Sequence, residues 1–377
     1  MQQNLRKMSA AAKETASVDS WGFPAGAWHA TTPAVRFQQT TAEKDAARDQ
    51  KWARMVHPTR GLARAKADPS TRSVLKRRWR KGVPRGWRRA AWPELLDHGP
   101  DEFRTAAALR QITFQSLVDS PPAQYDEVIE KDVVRTFPRH ARFATSVIDG
   151  GRSAGGAAEA KAISSLRRIL RSYAALDPAC GYCQGMNYVA SFLLLACDSA
   201  QRSPNDPSAS LDASNDEERC FWLFVAAARG PRTKLRELYL PSMVGCRRAL
   251  FTHEELLRKL RPRLAAHLEQ ENVLPTMYAT HWFVTLFSAQ FPAGFAARAW
   301  DRFLAEGWKP VYQLGVALLA ARERELLALD FEGLMGALRR IPEDLDVERT
   351  LALALRLRIT TRDVRDLEAR FGAEEPL

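Results

Sequence analysis

Along most of the chain, from about residue 75 onward, apolar side chains recur at every third or fourth position, and no run alternates with the two-residue period of a half-buried strand. The segments "RGWRRAAWPELLD" (85–97), "LRRILRSYAALD" (166–177), "MNYVASFLLLACD" (186–198) and "DEERCFWLFVAAAR" (216–229) carry the pattern most clearly, and 243–260, 277–290, 294–305, 311–329 and 346–357 continue it. The spacing predicts an all-α fold. Two polar stretches interrupt it. "DGGRSAGGAAEAKA" (149–162) reads as a flexible surface loop. "SAQRSPNDPSASLDASND" (199–216) reads either as a hinge between two helical lobes or as a loop insertion. The expected organisation is an extension over 1–73, a helical domain over 74–360 with an N-lobe about 74–200 and a C-lobe about 216–360, and a tail over 361–377.

The first 72 or so residues are rich in Ala, Thr, Lys, Arg and Asp, with scattered Trp and little periodicity, which predicts a mostly disordered segment with a helix around 40–56. Charge sharpens this boundary. Residues 1–80 hold 16 Lys/Arg against 6 Asp/Glu, a surplus of +10 out of the chain's +12. The excess culminates in "VLKRRWRK" (74–81), which fits a solvated arm or a surface for phosphates or acidic membrane. No aromatic-interleaved RNA motif or zinc finger accompanies it, so no nucleic-acid partner is expected. The longest apolar run, "VASFLLLAC" (189–197), is far short of the roughly 20 residues that cross a bilayer. The N-terminus lacks a hydrophobic core bounded by a cleavage site, and five cysteines without framework spacing suit a reducing compartment. A cytoplasmic protein, peripheral at endomembranes at most, is the expectation.

Conventional enzyme chemistry finds no anchor. "CGYC" (180–183) has redox or zinc spacing but no second pair, the seven histidines are scattered, and neither a GxxxxGK[ST] loop nor a GxSxG elbow occurs. No metal and no cofactor of the chain's own is expected. Three segments stand out instead. "GVPRGWRRAAWPELL" (82–96) places Arg88 and Trp92 at i and i+4 after a Gly-x-Pro start. "VIEKDVVRTFPRH" (128–140) places Ile129, Asp132 and Arg135 at successive steps of three, then breaks at Pro138. "GYCQGMNYVASFLLL" (181–195) sets Tyr182 and Gln184 ahead of Gly185, Asn187 and a long apolar helix. On its own Arg135 fits a surface residue, an ion-pair partner of Asp132, a phosphate clamp or a charge donated to another protein, and Gln184 fits an ordinary turn residue.

In this order the three segments closely resemble the TBC-domain family, whose members activate Rab GTPases. "PTMYATHWFVTLFSAQFP" (275–292) and "AARAWDRFLAEGWKPVYQLGVALL" (296–319), with Trp300, Asp301 and Gly307, extend the likeness to five ordered blocks over roughly 75–360. The departures are the two insertions, the basic extension and His281 just before Trp282, where Arg or Glu is common. The resemblance implies a TBC-type two-lobed helical domain that is no enzyme alone but a GTPase activator. It implies an arginine finger at Arg135 and a glutamine finger at Gln184, serving a GTP-bound Rab that brings its own Mg²⁺ and GTP. Arg88 is expected in a buried salt bridge, Trp92, Ile129 and Tyr182 in packing, and Asp132 either positioning Arg135 or capping a neighbouring helix. Pro138 is expected to end the arginine's helix, Gly185 to flank the glutamine's turn, and Asn187 to support the site. A non-catalytic scaffold that binds small GTPases is the alternative.

Overall fold

The computed structural model describes residues 19, 21–23, 46–56, 61–143, 156–201, 203 and 216–374, and none of these forms a strand. The all-α expectation holds. In the first half, Asp126–Arg135, Gly156–Leu176, Met186–Ala196 and Asp216–Arg229 pack together, and the run that gives no amphipathic face explains why. Met186–Ala196 is apolar on nearly every side and buried over almost its whole length, as a helix enclosed by others must be. In the second half, Val244–Leu260, Ala293–Glu306 and Trp308–Ala320 form the core, with Val347–Arg356 laid along the last of these.

A buried carboxylate joins the halves. Asp301 on Ala293–Glu306 is fully buried and accepts from Arg88 Nε at 3.0 Å, Arg88 Nη2 at 3.1 Å, Trp92 Nε1 at 2.8 Å and the Val83 backbone N–H at 2.8 Å. The i, i+4 spacing of Arg88 and Trp92 puts both on the face of Arg88–Leu95 turned toward this group. Trp92 also stacks on Trp300, with ring centroids 5.8 Å apart.

The helix boundaries differ from the periodicity in instructive places. Residues 156–162, expected in a Gly/Ala-rich loop, open the helix Gly156–Leu176, alanine being the strongest helix former; 149–155 lie outside the described residues. The single helix expected over 277–290 is instead Pro275–Tyr278 and Thr280–Val284, after which Leu286 and Phe287 take left-handed φ values of 45° and 63°. Residues 311–329 likewise divide into Trp308–Ala320 and Glu323–Leu326. Pro100–Ala108, Phe114–Asp119, Pro262–Gln270 and Phe331–Arg340 are helices too short or too sparsely apolar to announce themselves. The expected tail is helical over Thr361–Glu374 and docks on Val244–Leu260 through a Lys259–Asp363 ion pair of 2.7 Å and a Phe251–Phe371 contact of 5.6 Å. Nor are the described parts of the N-terminal extension loose. Residues 46–55 are helical, and Trp21, Phe23 and Trp52 are buried, because each aromatic ring removes a large apolar area from water. Among the described residues no helix is long and apolar enough to cross a membrane.

Two buried histidines make stability depend on pH. Burial pushes both His140 and His253 from the ordinary 6.5 down to about 4. Between those values the unfolded chain holds protons that the folded chain does not. Stability is therefore full above pH 6.5 and is lost as pH falls toward 4. At pH 5.5 the two together should cost about 3 kcal/mol relative to pH 7.5, lowering the thermal midpoint by several degrees. An unchanged midpoint by circular dichroism across that interval would contradict the assignment.

Candidate functional site

Arg135 is the last residue of Asp126–Arg135, a helix with Asp126 and Glu127 in its first turn and arginine in its last, the charge order that its dipole favours. The helix stops there because Thr136 turns extended and Phe137, just before Pro138, takes a left-handed φ of 47°. Arg135 thus projects from a helix end. Its side chain is 53% exposed, while Asp132, which it meets at 2.5 Å, is 3% exposed. The other Asp132 oxygen accepts the Tyr182 hydroxyl at 2.5 Å. Burial, with Asp132 beside it, pushes the Tyr182 phenol well above its ordinary value, so it stays protonated and donates. Asp132 therefore joins Arg135 to the glutamine's loop.

Gln184 is exposed on the turn ahead of Met186–Ala196. Gly185, the N-cap of that helix, has φ 109°, and a Cβ there would stand 2.5 Å from Val284 Cγ1. Both the dihedral and the close approach require glycine. The Gly185 N–H donates to Asn187 Oδ1 at 3.0 Å, and Asn187 Nδ2 donates to Thr136 Oγ1 at 2.8 Å. Thr136 Oγ1 in turn donates to the Asp132 carbonyl at 2.6 Å. Asn187 and Thr136 are both fully buried. Two independent links, Tyr182 to Asp132 and Asn187 to Thr136, thus tie the arginine's helix end to the glutamine's turn, and the two tips leave one anchored cluster for solvent.

The remaining predicted residues divide clearly. Ile129 is buried on the inward face of the arginine helix, and Pro138 is exposed beyond its end. Arg88 and Trp92 lie at the Asp301 junction rather than with the two tips. Cys180 is buried, and burial pushes its thiol up to about 12, while Cys183 is half-buried. Sequence reasoning gave no role to Thr136, and it overlooked Tyr188, whose ring lies 5.5 Å from Phe137 and 6.0 Å from His281. It also overlooked a groove of about 540 Å³ beside Gln184, lined by Met243, Met277, His281 and Met335 among others. Four elements far apart in the chain build that groove, so no local pattern could have marked it.

The helical domain thus presents an arginine and a glutamine from neighbouring, mutually anchored helix ends. The Rab-GTPase-TBC domain model matches residues 85–327, and the chain belongs to that family. Among its relatives are human ecotropic viral integration site 5 protein homolog, 24% identical over 323 residues (85% of this chain and 34% of that one), and mouse Carabin, 27% identical over 374 residues (95% and 72%). The Caenorhabditis elegans Rab GTPase-activating protein eat-17 is 27% identical over 295 residues, 78% of this chain and 29% of that one. The chain therefore spans about a third of the length of the human and worm relatives. The fold is similar to the TBC domain of a Chlamydomonas flagellar RabGAP, with TM-score 0.67, 24% identity and coverage of 90% of this chain and 99% of that one. It is also similar to the Ypt/Rab-GAP domain of Gyp1p, with TM-score 0.60, 18% identity and coverage of 87% and 99%.

Proposed function

We propose that this chain accelerates GTP hydrolysis by a GTP-bound Rab-type GTPase and so helps regulate membrane traffic, with Arg135 and Gln184 completing the partner's site. The observation that carries the reading is the anchoring of two exposed tips, one cationic and one carboxamide, to a single buried cluster. Hydrolysis builds negative charge on the transferred phosphoryl group, and a guanidinium delivered into that site stabilises it. Arg135 is suited to the task. It is permanently charged, and it gives up only a half-exposed ion pair, worth about 0–1 kcal/mol, when it turns toward phosphate oxygens. Asp132 then keeps the Tyr182 hydroxyl as a partner. Gln184 both donates and accepts, as orienting an attacking water requires. Val134, 54% exposed beside Arg135, adds apolar contact area. Mg²⁺ and GTP belong to the GTPase.

Single-turnover hydrolysis across a panel of Rab proteins tests the proposal. At least one member should be accelerated, and Gln184→Ala should lower that acceleration by about 10²–10³ with the fold intact. Full acceleration by both Arg135→Ala and Gln184→Ala variants would reject the two-finger mechanism, while Rab binding without acceleration would favour the scaffold alternative. The proposal extends to a membrane surface. Arg72, Lys76, Arg77 and Lys81 are exposed on or beside the helix Pro69–Arg80, and sedimentation with anionic vesicles should weaken as salt rises. Salt-insensitive binding would contradict that contact.

A further inference from the structure

The N-terminal peptide at residues 19–23 closes on itself. Asp19 Oδ1 accepts the Trp21 N–H at 2.8 Å and the Phe23 N–H at 3.0 Å, and the Asp19 N–H donates to the Phe23 carbonyl at 2.7 Å. The compact turn that results drives Trp21 and Phe23 into the domain, 6% and 4% exposed. Trp21 lies flat on Phe192, with centroids 5.3 Å apart and planes 14° apart, and the guanidinium groups of Arg85 and Arg88 sit 5.0 and 5.4 Å from its ring centre.

The surface this peptide grips is the segment that follows Arg135. Phe23 meets the edge of Phe137 at 5.3 Å and of His140 at 4.5 Å. The Ala141 N–H donates to the Gly22 carbonyl at 3.0 Å. His140 Nδ1 accepts the Arg142 backbone N–H at 3.0 Å, so its proton resides on Nε2, which donates to the Trp21 carbonyl at 2.6 Å. Gly22, at φ 88°, admits this approach, since a Cβ there would stand 3.0 Å from His140 Nε2. Phe137, meanwhile, holds a left-handed φ of 47°, a conformation that persists in a non-glycine residue only when its surroundings enforce it. Phe23, Phe143 and Tyr188 all pack edge-on against its ring.

We propose that residues 19–23 are an intramolecular strap that holds the 136–141 segment and thereby sets where Arg135 is delivered, making Trp21 and Phe23 positioning residues for GTP hydrolysis. The inference rests on the hydrolysis reading given above. Physically, the strap substitutes packing and two backbone-directed hydrogen bonds for freedom at a helix end, and a displacement of about 1 Å in a catalytic group costs up to about 10²-fold in rate.

The test compares the chain of 377 residues with its Trp21→Ala/Phe23→Ala variant and with the milder Asp19→Ala, which removes the acceptor that closes the turn. In both variants, amide exchange across 136–143, followed by mass spectrometry, should rise about tenfold or more while Met186–Ala196 stays protected. The maximal single-turnover rate on a responsive Rab should fall about tenfold, with the half-saturating concentration changed by less than about twofold. In an Arg135→Ala background the strap substitutions should cost nothing further. Unchanged exchange over 136–143 in both variants overturns the strap whether or not any Rab responds. A loss of equal size in the Arg135→Ala background overturns the positioning role. If the parent protein accelerates no Rab, the hydrolysis reading falls and with it the positioning role, while the exchange result still decides whether the peptide holds that segment.

Discussion

Arg135→Ala is expected to lower Rab-stimulating activity by about 10³-fold or more and to leave the protein folded. The size follows from where the charge would act. A guanidinium meeting phosphoryl oxygens in a water-poor site offsets developing charge that solvent screens poorly. The small structural cost follows from where Arg135 rests alone. Its side chain is half in solvent, its ion pair spans one helical turn, and Asp132 keeps its bond from Tyr182, so stability should fall by about 1 kcal/mol. Arg135→Lys retains the charge but loses the planar fork, and recovery of only a small part of the rate is expected. Single-turnover hydrolysis gives the rates and thermal unfolding the control. An alanine variant as active as its parent would return Arg135 to the status of an ordinary surface cation.

The second large effect falls on stability. Asp301→Ala should destabilise the protein by about 3–5 kcal/mol, because it strands a buried guanidinium. Arg88 is 4% exposed, and Asp301 accepts from both edges of its fork; Trp92 Nε1 and the Val83 N–H would lose their acceptor at the same stroke. Removing one member of a buried pair costs more than removing both, so Arg88→Met combined with Asp301→Ala should recover part of the loss. Denaturant unfolding of the parent, the single variants and the double variant provides the cycle. A single Asp301→Ala variant within about 1 kcal/mol of the parent would refute the arrangement.

How far the sequence discloses these features depends on the range of the contact. The spacing of Arg88 and Trp92 shows that they share a helix face, yet their common acceptor lies 213 positions away from Arg88 and no local pattern points to it. The stop after Arg135 is legible from Pro138, whereas the left-handed Phe137 that shapes it is not, since it depends on rings supplied from elsewhere. Apolar periodicity reveals long helices such as Val244–Leu260, and it runs straight through Leu286 and Phe287, where the backbone reverses although the side chains stay apolar. Trp21 and Phe23 were hidden for the opposite reason. Two rings in a stretch rich in Ala, Ser and Thr carry no period, and only their burial in the fold reveals what they pack against. Gln184 was visible through its motif, but the bond from Asn187 to Thr136 that fastens its loop to the arginine's became apparent only in three dimensions.

The close approach beneath Gly185 brings the two halves of the domain together. Val284, whose carbonyl is itself held by the Tyr239 hydroxyl at 2.9 Å, forms the floor on which the glutamine's turn is seated. Neither half of the molecule alone sets the position of that turn. Substitutions that tilt the helices around residues 275–284 would therefore shift Gln184 while every residue of its own motif stays intact.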